Sequence, residues 1–178
     1  LGSGEEKTYL IDFLRNKNHL VCNLKKNITS FDNFDLIISF GYHYIIKKEL
    51  LKSLNRPIIN LHISYLPFNK GAHPNFWSHY ENTQSGVTIH EIDSGIDTGP
   101  IIAQKKVTLD ENLTLSASYQ ILLENIQNLF IENYSKIINY SYKKIPHSKE
   151  LGTFHIKKEL PEWVDWEMTI KQIKNHRK

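Results

Sequence analysis

A single cysteine, Cys22, stands among 178 residues. That excludes an internal disulfide and fits a reducing compartment, so a cytoplasmic location is expected. No apolar run approaches the roughly 20 residues that cross a bilayer, and no signal peptide is visible, so no membrane partner is expected. Strong charge of either sign is also missing. The formal net charge is +3, which permits an anionic substrate without calling for nucleic acid. The basic pairs Lys25-Lys26, Lys47-Lys48, Lys143-Lys144 and Lys157-Lys158 are short and scattered, as on a solvated surface. There are no repeats or low-complexity tracts. No spacing such as His-Glu-x-x-His marks a zinc site, so His73, His79, His90, Asp93 and Asp97 are not read as metal ligands and no metal is expected.

An initiator methionine is lacking as well. Leu1-Gly2-Ser3-Gly4 reads as the end of a strand entering a glycine turn. Either a preceding strand is missing from this chain or Gly-Ser-Gly is an added segment. A glycine turn ahead of a helix can cradle phosphate. Glu5 and Glu6 follow at once; they oppose a phosphate but suit the helix dipole, which favours a structural turn.

What the chain does contain is ordinary for a globular protein: 40% hydrophobic and 23% charged residues, enough for one domain with a real core. Tyr9, Leu10, Phe13 and Leu14 predict a helix over residues 8–16. A short strand is expected at 19–23. The continuous apolar run at 35–40 suits a parallel strand buried on both faces. A helix over 47–54 stops before Pro57. Strands are expected at 56–59, 87–90 and 101–107, and Pro74 opens a helix carrying Phe76, Trp77 and Tyr80. Thr114 caps a long helix whose face is Leu115, Tyr119, Leu122, Ile126, Leu129, Phe130 and Ile137. The tail holds a short strand near 152–155 and a helix over 166–174. Alternating strands and helices predict an α/β fold, a Rossmann-like, doubly wound, mostly parallel sheet over residues 1–140, with a short C-terminal extension at 141–178.

The densest chemistry lies between Asn60 and Pro100, which holds four histidines. Asn60 and His62 end the strand at 56–59 and project to one side of it. The strand at 87–90 runs into Asp93-Ser94-Gly95-Ile96-Asp97-Thr98-Gly99-Pro100, a turn-rich loop. Open α/β sheets place their chemistry at such strand ends, so an amide, an imidazole and a carboxylate can converge there.

Asn60-x-His62-x-Ser64-x-Leu66-Pro67, Gly71 nine residues after His62, and Asp97-Thr98-Gly99-Pro100 resemble the folate-dependent formyltransferase family, and most of all its small bacterial sugar N-formyltransferases. The resemblance implies a formyltransferase fold and a catalytic triad of Asn60, His62 and Asp97. It implies 10-formyltetrahydrofolate as formyl donor, with its pteridine against Gly41, Tyr42, His43, Tyr44 and Ile45, and with Asp93, Ser94 and Gly95 as loop framework or backbone contacts. On the acceptor side it implies Ser64, Gly71, His73 and Trp77; Trp77 either lines the acceptor cleft or packs in the core.

Formyl transfer to an amine passes through a tetrahedral oxyanion, so donors aimed at that oxygen matter most. The Asn60 amide and a proton-donating His62 can supply them, while Asp97 takes the amine proton and raises the His62 pKa. The resemblance points to an enzyme acting on the amine of a nucleotide-linked amino sugar, in lipopolysaccharide O-antigen biosynthesis, with small-molecule partners and a homodimeric assembly. Glycinamide ribonucleotide or another amine is the alternative acceptor, disfavoured by Glu5 and Glu6. Methionyl-tRNA is disfavoured by a tail too short for an RNA-binding domain. A non-catalytic folate-binding protein of the same fold is the alternative of a different class.

Overall fold

The computed structural model describes residues 8–25, 27–31, 34–147 and 151–177. The glycine turn and the two glutamates ahead of the first helix lie outside these residues. Helix α1 (Leu10–Asn16) buries Leu10 and Ile11, as its stripe predicts. The strands are β1 (Ile37–Phe40), β2 (Ile58–His62), β3 (Lys70–Gly71), β4 (Gly86–Glu91), β5 (Ile101–Lys106) and β6 (Phe154–His155), and α2 (Lys48–Ser53) lies between β1 and β2.

Four strands form one sheet in the order β1-β2-β4-β5. β1 and β2 pair in parallel, with Ser39 beside Asn60, as befits apolar strands joined by a helical crossover. β4 joins β2 antiparallel, setting His90 opposite Asn60 and Thr88 opposite His62. β5 continues antiparallel, with an irregularity at Ile89/His90. The strands expected at 56–59 and 87–90 thus lie side by side in one mixed sheet.

Alternation divides that sheet into two faces. Ile59, Leu61, Val87 and Ile89 point to one face, where Leu122, Ile126, Leu129 and Phe130 of helix α4 (Leu115–Ile138) complete the main core. The Thr114 hydroxyl accepts the Ala117 N–H, closing the helix start as expected and contributing about 1 kcal/mol. Asn60, His62, Thr88 and His90 point the other way, so the polar positions of two strands share one face.

Two expectations are corrected. Residues 19–23 join no ladder among the described residues, and Leu20 is fully exposed; a short apolar run without a neighbouring strand has nothing to hold it in a sheet. The final helix, α5 (Ile170–Asn175), starts later than 166. Trp166 and Met168 carbonyls instead accept the N–H groups of Ser116 and Leu115, and Thr169 forms a capping box with Gln172. The Pro/Asn/Gly-rich loop after β2 contains β3, which pairs in parallel with β6 of the tail.

Helix α3 (Pro74–Tyr80) takes Pro74 at its first turn. Its Phe76 and Trp77 pack with Leu115 and Ile173 in a second core. His79 is buried on the same helix with its Nε2 unpartnered, and burial, then Lys174, push its pKa down to about 4. An unfolded histidine titrates near ~6.5, so the unfolded chain takes up the proton first as pH falls. Stability is expected to be flat above that pH and to fall by about 3 kcal/mol as pH drops to the folded value. Melting temperatures from neutral to acid pH check this, with His79→Leu expected to flatten the slope.

Candidate active site

The loop after β4 folds back over the polar face because its own side chains tie it. Asp93 Oδ1 accepts the Gly95 N–H at 2.9 Å and the Thr98 hydroxyl at 2.6 Å. Gly99 has no room for a side chain: a Cβ there would meet the Glu91 carbonyl oxygen at 1.9 Å. The turn throws Asp97 into left-handed backbone, φ 51°, an uncommon conformation that aims its carboxylate inward.

Asp97 becomes the hub. Its Oδ2 accepts the Gly71 N–H at 2.8 Å, and its Oδ1 accepts the Asn60 amide at 3.2 Å. His62 Nε2 stands 3.6 Å from Oδ2, and His90 Nε2 stands 3.4 Å from Oδ1. The Asn60 nitrogen also lies 3.0 Å from His90 Nε2. His90 Nδ1 lies 2.8 Å from the Glu91 carbonyl oxygen, so Nδ1 carries the hydrogen and a neutral His90 accepts from Asn60 at Nε2. Both Asn60 amide hydrogens therefore have acceptors, Asp97 and His90, and an oxyanion binding there displaces one of them.

Burial pushes the Asp97 carboxyl up, but His62, His90 and the Gly71 N–H outweigh it and hold it below the usual carboxylate range. Burial pushes His62 down; the Asp97 carboxylate and a hydrogen bond to the Asn69 backbone oppose this without cancelling it. Taken together, these directions describe a carboxylate beside a neutral imidazole, which corrects the expectation of a proton-donating His62 with its pKa raised by Asp97: burial outweighs the carboxylate. The Gly71 and Asn60 hydrogen bonds favour the charged form of Asp97. His62 Nε2 has no hydrogen-bond partner, so its lone pair faces the carboxylate across a gap that an N–H would fill. The arrangement can take a proton from a nitrogen placed there and hold the resulting imidazolium against Asp97.

Asn60, His62 and Asp97 thus meet as their motif implies. His90 belongs with them, although the sequence reading gave it no part in the chemistry. Its signal was the alternation Val87, Thr88, Ile89, His90, which sets His90 on the polar side with Thr88. Among the described residues, no group of three or more acidic, histidine or cysteine side chains is arranged to hold a metal.

The other candidates have varied places. Gly71 serves Asp97 through its N–H. The Ser64 hydroxyl donates to the Phe68 carbonyl and is buried. Trp77 is 7% exposed and stacks on His155 with 3.8 Å between ring centres, so it packs in the core rather than lining an open cleft. His73 opens α3 with φ 53°, its ring 5.8 Å from that of Trp166. Gly41, φ 65°, leaves the sheet beside the end of β2, because Phe40 pairs with Leu61. Tyr42 and Tyr44 stand 5.4 Å apart; His43, Tyr44 and Ile45 are exposed, as are Ser94 and Gly95. A cavity of about 280 Å³ opens next to Asp97, lined by Lys70, Ile96, Thr98 and Phe154.

Gly71 offers a test of the hub. It has φ +87°, and a Cβ would lie 2.3 Å from the His155 carbonyl oxygen. Gly71→Ala is expected to spread the β3–β6 ladder and withdraw the N–H from Asp97. Stability should fall by about 1–3 kcal/mol, and kcat by about tenfold from loss of one charge-assisted hydrogen bond. Thermal melts and steady-state rates measure the two effects separately.

The sequence profile of the formyl transferase family matches residues 7–133. The chain belongs to the formyl transferase family. It is similar over nearly its whole length to the formyltransferase PseJ from Anoxybacillus kamchatkensis, solved in complex with UDP-4,6-dideoxy-4-formamido-L-AltNAc and tetrahydrofolate. The TM-score is 0.89 at 37% identity, covering 99% of this chain and 97% of that one. A dTDP-4-amino-4,6-dideoxyglucose formyltransferase of Mycobacterium bovis is 28% identical over 139 residues, 78% of this chain and 58% of the relative. A methionyl-tRNA formyltransferase of Desulforamulus reducens is 29% identical over 145 residues, 80% of this chain and 45% of the relative. The chain thus spans about half the length of these curated relatives. The formyl transferases share the α/β fold described above, to which the likeness to PseJ extends through the C-terminal residues.

Proposed function

We propose that this chain is a folate-dependent N-formyltransferase that moves a formyl group from 10-formyltetrahydrofolate to the amine of a nucleotide-linked amino sugar. The observation that carries the reading is a neutral His62 held against the Asp97 carboxylate, with the Asn60 amide alongside, in a chain so similar to PseJ. Gly41 with exposed Tyr44 and Ile45 suits a flat heteroaromatic ring, giving backbone groups and apolar walls. The donor, when bound, supplies an activated formyl carbon. His62 accepts the proton that the amine loses as its nitrogen bonds to that carbon. Asn60 and the new imidazolium face the oxygen that gains charge, and Asp97 stabilises the imidazolium until the proton passes to the departing nitrogen. No side chain forms a covalent bond.

In this reading residues 1–140 form the catalytic part and 141–178 an extension that supports it through β6. The proposal further includes cytoplasmic location, a homodimer, and supply of lipopolysaccharide O-antigen biosynthesis. Cell fractionation, solution scattering and glycan analysis of a deletion strain test these in turn. The function itself is tested by offering dTDP-, UDP- and GDP-linked amino sugars, glycinamide ribonucleotide and methionyl-tRNA with the same formyl donor. Turnover is expected with a nucleotide-linked amino sugar and little with the others; efficient use of glycinamide ribonucleotide overturns the acceptor while leaving the chemistry standing.

A further inference from the structure

His62 and Asp97 are each fixed by a backbone group of one short segment, residues 69–71. The Gly71 N–H donates to Asp97 Oδ2 at 2.8 Å. His62 makes a hydrogen bond to the Asn69 backbone. Its Nε2 has no hydrogen-bond partner, so Nδ1 makes that bond and its hydrogen rests on the Asn69 carbonyl. The partner of Nδ1 sets the tautomer, and this one leaves the Nε2 lone pair to the amine. Little within the segment holds its own shape. Asn69 and Gly71 lie at φ 54° and 87°, and β3 is two residues long.

The support comes from Glu81, which ends helix α3 and is anchored through that helix to the second core. Glu81 Oε2 accepts the Asn69 side-chain amide at 3.0 Å and the Thr153 hydroxyl at 2.7 Å. Glu81 Oε1 accepts from His155 Nε2 at 2.9 Å. The Thr153 oxygen in turn accepts the Asn69 backbone N–H at 3.1 Å. His155 stacks on Trp77, pairs with Gly71 across the β3–β6 ladder, and accepts the Ala72 N–H on its carbonyl at 2.8 Å. One carboxylate therefore grips the segment at both ends, at Asn69 directly and at Gly71 through β6. Hydrogen bonds to a carboxylate are roughly twice as strong as neutral ones, which suits a grip on left-handed backbone.

We propose that Glu81 is a positioning residue of the reaction: through Asn69 it fixes the ring of His62, and through His155 and Gly71 it fixes the carboxylate of Asp97. This rests on the reading of the site as one of formyl transfer. Glu81 takes no proton from the substrate. Its contribution is to keep the base and the carboxylate in register, and a small misplacement of such groups is costly in rate.

The test uses the full chain with isotopically labelled histidine, and proton–nitrogen correlation spectra near neutral pH, with the His62 signals assigned by their loss in His62→Ala. In the unmodified chain His62 should carry its hydrogen on Nδ1 alone. Folded Glu81→Ala is expected to show a mixture of the two His62 tautomers. Its kcat should fall by about tenfold or more while the KM of the folate donor stays level. Glu81→Gln should retain most of the rate and the single tautomer. Its oxygen still accepts from Asn69 and Thr153, and its amide donates to a His155 ring that turns its own hydrogen toward Glu159, 3.4 Å from Nδ1. Thr153→Val removes the hydroxyl between Glu81 and Asn69 and should move tautomer and rate in the same direction by less; it decides the matter should Glu81→Ala not fold. Circular dichroism shows which variants are folded. A single unchanged His62 tautomer in the folded variants, or Glu81→Gln as impaired as Glu81→Ala, overturns the inference. A tautomer that depends on Glu81, in a chain that formylates no amine, instead sinks the proposed reaction and leaves the positioning standing.

Discussion

Asp97→Asn is expected to lower kcat by roughly 100-fold or more, the scale of one electrostatic contribution at the transition state. The substitution keeps the shape of the side chain. It removes the charge that receives the Gly71 N–H and the Asn60 amide and faces both His62 and His90. An amide at this position turns an N–H toward one of these donors or a neutral oxygen toward His62, and neither stabilises an imidazolium. Because the Asp97 pKa is held below the usual carboxylate range, the group is ionised throughout the neutral region. The deficit should therefore persist from pH ~6 to ~9, where an ordinary carboxyl does not titrate. The same shift predicts stability that is fully present above the ordinary carboxylate pKa and lost as pH falls through the lowered one. In Asp97→Asn, melting curves should lose that acid dependence. Near-normal kcat across this range removes Asp97 from the chemistry.

His62→Ala is expected to cost about 10²–10⁴ in kcat, the range for a positioned general base. Its pKa is lowered by burial, so in the free enzyme the acid limb of kcat/KM belongs below that of an ordinary histidine. The variant should lose that limb as well as its rate. Folate affinity should change less, since the proposed ring contacts lie in the loop from Gly41. Asn60→Ala should cost about 10², and it frees both Asp97 and His90 of a donor. Asn60 and His62 both meet Asp97, so their combined loss should be much smaller than the product of the single losses. Rates of single, double and triple variants at saturating substrate provide that comparison. Losses that multiply cleanly contradict a single shared site.

The sheet was legible where apolar runs are long enough to be buried on both sides. The runs at β1 and β2 and the alternation in β4 give it away, and the face of α4 follows from its spacing and from Thr114. The antiparallel entry of β4 beside β2 was not legible, because strand direction depends on how the loop from Leu66 to Gly86 returns. β3 has two residues and therefore no period to read, yet it supplies the N–H that holds Asp97. The late start of α5 turns on backbone pairing with residues 113–116, which local propensity does not register. At the site, Asn60, His62 and Asp97 were legible through their motif. His90 was readable in principle by alternation, but its meeting with Asn60 needed the cross-strand register. Trp77 was open between cleft and core in the sequence, and folding placed it against His155.

The most direct measurement is product analysis by mass spectrometry after incubation with 10-formyltetrahydrofolate and a panel of UDP- and dTDP-linked amino sugars, for the unmodified chain beside folded His62→Ala and Asp97→Asn. The account predicts a gain of one formyl group on an amino-sugar nucleotide with the unmodified chain, and initial rates lower by roughly 100-fold or more with each variant. Formylation that proceeds at the same rate without His62 and the Asp97 charge, or no formylation of any amino sugar by a chain that binds the folate, contradicts it.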